Sequence, residues 1–272
     1  MRANRLAARA GLRWISGAFA IFRFAPLRQL SLSLAFLLAF MLALSVPLIG
    51  FALAWALIPG LVVGLHAIAR EASRGVLPTA ALLLSGFQGS AAAQLRLGGV
   101  YLAGMAIVLL ASSPADDGRF AQAMLGMARL EFQDLQNPQT VNAMRVVVVL
   151  QTLLLAALWY APLLVSWRGQ SVVKAVFFSA VAAFINWRAF FAYGIGMTLL
   201  FTFVLMLALL GAMLFGGTRA LQANAAAFAV LWTLLPVWFA SSYLSYREVF
   251  GTDDAADDAG GGEAPKSPTI SP

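Results

Sequence analysis

The sequence predicts an all-α, polytopic membrane protein with six transmembrane helices. Three observations carry the prediction. Hydrophobic residues make up 61% of the 272 and charged residues 11%, against roughly 25% charged in an average soluble domain. The apolar residues fall in long continuous runs, not in the alternating ten-residue segments of a barrel. The charge between the runs is mostly arginine. The net charge of +7 therefore reads as a topology signal beside membrane spans, with no nucleic-acid partner implied.

Residues 1–28 hold six arginines and no acid. Arg2, Arg5, Arg9, Arg13 and Arg23 fall within about 80° of a helical wheel, with Trp14, Ile15, Phe19 and Phe22 across from them. This pattern predicts a basic amphipathic helix lying in the membrane interface, with Arg5, Arg9, Arg13 and Arg23 against the phosphates of anionic lipids. Pro26 ends it. A six-span membrane domain is expected over 29–251. Its first spans, 30–46 and 50–69, form a hairpin that turns at Pro47 and Gly50, and Pro59 kinks the second. Residues 77–94, broken by Pro78, Gly86 and Gly89, are expected as an interfacial helix, and 97–111 as the third span. In the polar loop 112–143, Ala121, Leu125, Ala128, Phe132 and Leu135 recur at helical spacing. They predict a surface helix ended by Asn137 and Pro138. The fourth span is expected at 146–165. Val172, Val173, Val176, Phe177, Ala180 and Phe184 then make one face of a helix too short to cross a bilayer. The fifth and sixth spans, 190–215 and 223–243, are joined by a turn at Gly216 and Gly217. The tail 252–272, with Asp253, Asp254, Asp257, Asp258 and Glu263, cannot bury a core and is expected to be disordered.

An internal repeat runs through this plan. In the second span Trp55 is followed after three residues by Pro59, and after ten more by Arg70 and Glu71. In the sixth, Trp232, Pro236, Arg247 and Glu248 keep the same spacing. The fourth span has a shorter version in Trp159, Pro162 and Arg168. The inference is three hairpin repeats of one orientation, each an interfacial helix followed by two spans. Of the eighteen Lys and Arg residues, six precede residue 29, three lie in 70–96, three in 166–189 and two beyond the last span. The other side of the membrane keeps Arg119, Arg129, Arg145 and Arg219. The positive-inside rule then places both termini in the cytoplasm.

The expected spans contain no Asp, Glu, Lys or Arg, the groups that mark proton relays and coupled ion pathways. His66 stands one turn before Arg70, without cysteine or carboxylate company for a metal. Gln151, Thr198, Thr202, Thr233 and Asn224 are polar side chains suited to bonds between helices. Nothing in the sequence supports nucleophilic or acid–base catalysis, and no phosphate-loop pattern is present. The expectation is a non-enzyme without cofactor or metal, one that organises lipids or a partner membrane protein. The alternative is a transporter or channel for a small or amphiphilic solute, with a polar cavity near Trp55, Pro59, Trp159, Pro162, Trp232 and Pro236.

Two end motifs carry a resemblance. One holds Gly11, Trp14, Phe19, Phe22, Arg23, Pro26 and Leu27. The other holds Ser242, Tyr246, Arg247, Glu248, Phe250 and Gly251. Through them the chain resembles a family of bacterial six-span inner-membrane proteins, the BPSS type, which implies location and topology but no reaction. Its general plan is also loosely similar to the membrane domain that precedes some glycerophosphodiester phosphodiesterases. The catalytic domain of those proteins has no counterpart here, so no activity carries over.

Overall fold

A computed structural model describes residues 3–131, 133–214 and 218–251. Arg2, Phe132, the Gly216–Gly217 turn and the acidic tail lie outside them. The described residues form helices α1 (Arg9–Phe24), α2 (Pro26–Leu44), α3 (Ile49–Ser73), α4 (Ala91–Ser112), α5 (Arg119–Met124), α6 (Pro138–Leu158), α7 (Ala161–Arg168), α8 (Val172–Ile185), α9 (Trp187–Leu214) and α10 (Arg219–Phe250). Six stretches are long and apolar enough to cross a membrane: Pro26–Leu44, Ile49–Ser73, Ala91–Ala115, Pro138–Arg168, Trp187–Met213 and Asn224–Phe250. They follow the six expected spans in order, several extending further into the flanking polar segments. The polar flanks stay helical because an ordered ladder satisfies backbone groups as well there as in the apolar middle.

The spans form an open arc. α9 packs on α10, α10 on α2 and α3, α3 on α4, and α4 on α6. No comparable packing closes the arc from α6 back to α9, and the short helix α8 bridges the two. Exposure follows from this order. In its most apolar stretch α3 is 56% buried and α9 only 6%, so α3 is the inner helix and α9 an outer one facing lipid.

The core sits where the even-numbered spans continue beyond their prolines. Val63, Leu163, Leu164, Tyr160, Tyr246 and Val249 are all buried in one cluster. Each proline removes an N–H from the helical ladder and orphans the carbonyl four residues earlier. For Pro162 that carbonyl belongs to Leu158, and Tyr101 of α4 donates to it at 3.1 Å. Gln94 Nε2 donates to the Pro162 carbonyl at 2.9 Å. The expected fourth span is therefore broken into α6 and α7. At the break the Tyr160 N–H leaves the ladder and donates to Ser179 Oγ of α8 at 2.9 Å.

Apolar side chains gain little from leaving lipid for protein, so close backbone approach drives packing between membrane helices. At Gly98 of α4 a Cβ would stand 1.9 Å from the Ala56 carbonyl oxygen of α3. Gly86 meets Gly60 in the same way, at 2.1 Å. This second contact corrects the expected interfacial helix over 77–94. The segment is a 3-10 helix, Ala80–Phe87, laid against α3. Pro78 and Gly89 confine it, and the glycine pair draws it onto the bundle. The surface helix expected across 121–135 is also corrected. Only Arg119–Met124 is α-helical, and Gly126 turns the chain with φ +74. Asn137 begins the fourth span, its side chain accepting from the Gln139 N–H at 2.9 Å.

The two ends of the bundle differ. At one, Leu48 N–H donates to the Leu125 carbonyl (3.0 Å), and Arg119 pairs with Asp134 (2.7 Å). At the other, α1 lies against α9 and α10.

Candidate functional site

The last three turns of α10 link most of the molecule. Ser241 shares a hydrogen bond with the Tyr193 hydroxyl of α9 (2.9 Å). Ser245 accepts from the Tyr160 hydroxyl (3.2 Å). Ser242 Oγ stands 2.9 Å from His66 Nε2, and His66 Nδ1 stands 2.7 Å from the Val62 carbonyl. A carbonyl only accepts, so Nδ1 carries the proton and Nε2 of the neutral ring accepts from Ser242. His66 is buried and ties the second span to the sixth. Serine at 241, 242 and 245 lets three hydroxyls on one helix reach three different neighbours.

The polar ends add to this. Glu248 takes the guanidinium of Arg13 on one oxygen and the Trp14 indole N–H on the other at 2.6 Å. Arg168 donates to the Tyr246 hydroxyl (3.2 Å) and to the Phe250 carbonyl (3.1 Å) at the end of α10. The segment before α1 is threaded between these elements. Asn4 N–H donates to the Val249 carbonyl (2.8 Å). Buried Asn186, at the α8–α9 corner, accepts from Leu6 N–H (2.7 Å) and donates to the Asn4 carbonyl (3.0 Å). Arg5 is fixed between those two bonds.

Where the arc stays open, a groove runs between α6 and α9. One lobe of about 800 Å³ is closed by α8 through Ala180, Ala183 and Phe184. The other, about 600 Å³, is closed by Val230 and Trp238 of α10. Thr152, Ala156, Phe190, Gly194 and Thr198 line both. Either volume lies within the roughly 300–1,000 Å³ of small-molecule sites. The walls are apolar apart from a few hydroxyls. Phe184 and Trp187, on the first lobe, also line a hollow of about 460 Å³ completed by Arg5 and Ile185. The Arg188 guanidinium lies over the Trp187 ring, 5.4 Å from its centroid.

The structure disperses the tryptophans and prolines singled out by the repeat. Trp55 lies against Phe51 (6.1 Å between centroids). Trp159 packs on Phe190, Tyr193 and Trp238, and it is the one of the three that lines the groove. Trp232 donates to the Leu30 carbonyl of α2 at 2.9 Å. Pro59 and Pro236 are buried inside their helices, and Pro162 opens α7. The motif ends also diverge. Glu71 pairs with Arg74 (3.5 Å), whereas Glu248 holds α1. Arg70 lies over Trp167 (5.1 Å) and Arg247 over Tyr243 (5.8 Å). On α1, Trp14 and Ala18 are turned into the bundle. Of the arginines expected at lipid phosphates, Arg5, Arg9 and Arg23 are exposed and Arg13 sits on Glu248. Sequence reasoning missed Asn186, Trp238 and the α10 serines. Thr198 and Thr202 were visible in it as intramembrane polar side chains, and both line the groove. Among the described residues no group of three or more His, Cys, Asp or Glu is gathered for a metal ion.

Fold and site together define an integral membrane protein with six candidate spans. A protein of Burkholderia thailandensis named a probable inner membrane protein is 33% identical over 286 residues, covering 100% of this chain and 99% of the relative. The chain belongs to the family of that inner membrane protein, in keeping with the resemblance carried by its end motifs. No family model matches the sequence and no solved structure matches it. The likeness to phosphodiesterase membrane domains gains no support from the comparisons.

Proposed function

We propose that this chain is a non-enzymatic protein of the bacterial inner membrane, with both termini in the cytoplasm, that organises phospholipid around itself. The observation that carries the reading is where the molecule is solid and where it is open. The centre, between the post-proline segments of the even-numbered spans, is filled by Leu158, Tyr160, Leu163 and Leu164 at no more than 2% exposure. A lateral groove opens between α6 and α9, and a separate apolar hollow of about 610 Å³ lies among α3, α4 and α5; the groove walls suit acyl chains. A transporter needs a polar cavity along the even-numbered spans, and the packing of Pro59, Pro162 and Pro236 speaks against one. The groove could instead seat a partner membrane helix. The apolar walls fit that occupant as well, and the arginines at the mouth favour lipid over it.

The repeat and topology belong to the same proposal. Three hairpins of one orientation bring three proline-bearing helices together at the end that carries Arg13, Arg70, Arg168 and Arg247, the end the positive-inside rule assigns to the cytoplasm. The chain has no cysteine, so single cysteines report topology cleanly. Ser90→Cys is expected to resist a membrane-impermeant thiol reagent in intact cells and Asp117→Cys to react. The opposite pattern refutes the orientation. The function is tested by extracting the protein directly into native-lipid nanodiscs and analysing its lipids and proteins by mass spectrometry. One phospholipid class enriched over the bulk membrane is the expected result. Bulk lipid composition with a partner protein in fixed ratio points to a protein scaffold instead. Solute uptake into proteoliposomes restores the transport reading.

A further inference from the structure

Resting on that reading, we propose that the opening between α6 and α9 binds one anionic phospholipid of the cytoplasmic leaflet, with an acyl chain in the groove and the phosphate against Arg5 and Arg188. Three features converge on this occupant. The first is length. From Trp187 to Thr202 the groove follows α9 over sixteen residues, about 22 Å at 1.5 Å per residue step. Half of a hydrocarbon core is about 15 Å, so the groove accepts a full acyl chain entering from one interface. The second is charge. Among the described residues neither Arg5 nor Arg188 has a carboxylate partner. Both stand at Trp187, which with Phe184 forms the wall common to the groove and its basic mouth. Arg5 is held there by the backbone bonds of Asn4 and Leu6 to Asn186, so its position at the mouth is preorganised. The third is the floor. A Cβ on Gly194 would meet nothing within 4 Å. This glycine spares no helix contact, and its effect is to keep the groove wide between its two lobes.

An apolar groove alone would accept any lipid, or a helix from a second copy. The two unpaired guanidiniums select a ligand that is anionic at one end and apolar along the rest. The paired Arg13 marks the contrast, since Glu248 already neutralises it.

The test is native mass spectrometry of the full chain after incubation with an equimolar mixture of phosphatidylglycerol and phosphatidylcholine. One phosphatidylglycerol is expected per chain, preferred by about thirtyfold, in line with two arginines at a membrane surface. The double variant Arg5→Glu/Arg188→Glu is expected to lose the preference, and Arg96→Glu, exposed on α4, to keep it. Gly194→Leu fills the groove and is expected to lower occupancy by either lipid. Glycine is a poor helix former, so that variant keeps or raises the thermal midpoint, which separates loss of the ligand from loss of the fold. An unchanged preference in the double variant, or full occupancy in folded Gly194→Leu, overturns the site. A dimer without lipid in the wild type also overturns it, in favour of a second copy. If the wild type enriches one lipid and the variants do so equally, the assigned site fails while the lipid-organising function stands. If native-lipid nanodiscs show no enrichment at all, that function fails with it.

Discussion

Replacing Glu248 by alanine is expected to cost the folded protein about 2 kcal/mol, and the structure says which bond carries the loss. Glu248 serves two donors of unequal value. The Arg13 side chain is 57% exposed, and an exposed ion pair contributes about 0–1 kcal/mol. Trp14 is 2% exposed, and its indole N–H has the Glu248 carboxylate as acceptor at 2.6 Å. Without Glu248 that buried N–H is left unsatisfied, at a cost of about 1–3 kcal/mol. Unfolding in mixed micelles of increasing SDS content measures the effect. Arg13→Ala is expected to lose less than about 1 kcal/mol. A double-mutant cycle between Glu248→Ala and Trp14→Phe is expected to show coupling of about 1–2 kcal/mol, because the phenylalanine ring has no donor to strand. If Arg13→Ala proves as damaging as Glu248→Ala, or the Trp14 coupling is near zero, the surface pair holds α1 down and the reasoning from burial is wrong.

Other expectations follow from single contacts. Tyr101→Phe strands the Leu158 carbonyl and is expected to cost about 1 kcal/mol. The cost should shrink in a Pro162→Ala background, where a restored N–H can cap that carbonyl, and an undiminished cost there sinks the capping argument. Ser242→Ala removes the donor to His66 and is expected to destabilise by about 1–2 kcal/mol, read in the same unfolding assay. Gly98→Val drives a side chain into the Ala56 carbonyl and is expected to cost at least about 3 kcal/mol. A wild-type midpoint for that variant would show that α3 and α4 are not in backbone contact.

The six spans were legible because a run of bilayer length needs no partner to identify it. Residues 190–215 announce a membrane helix whatever packs around them. Some features set by local chemistry were legible as well, such as Pro138 at the start of the fourth span, although the same span was expected unbroken through Pro162. What escaped depended on pairs of distant residues. Gly60 and Gly86 each look like helix-weakening glycines, and only their meeting explains why 80–87 lies on α3. The period through Ala121, Leu125 and Ala128 was real, but Gly126 at positive φ outweighed it. His66 stood out and Ser242 stood in an end motif, but nothing in the sequence joined the two across 176 residues. The groove left the faintest trace. It results from packing that α6 and α9 do not make, and Thr152, Gly194 and Thr198 carry no pattern that announces an unfilled space.

The position of the polar bonds in the chain constrains the order of assembly. Asn4, Arg13 and Trp14 are synthesised well before their partners Glu248 and Val249. Until the sixth span has left the ribosome, the Trp14 indole has no Glu248 to receive it and α1 waits undocked. Docking of α1 is thus a signal that the sixth span has been made. A nascent chain that stalls before Ser241 also leaves His66, Tyr160 and Tyr193 without the serines that join them. Such a fragment is inserted but unclasped, with α1 undocked and open to a quality-control protease.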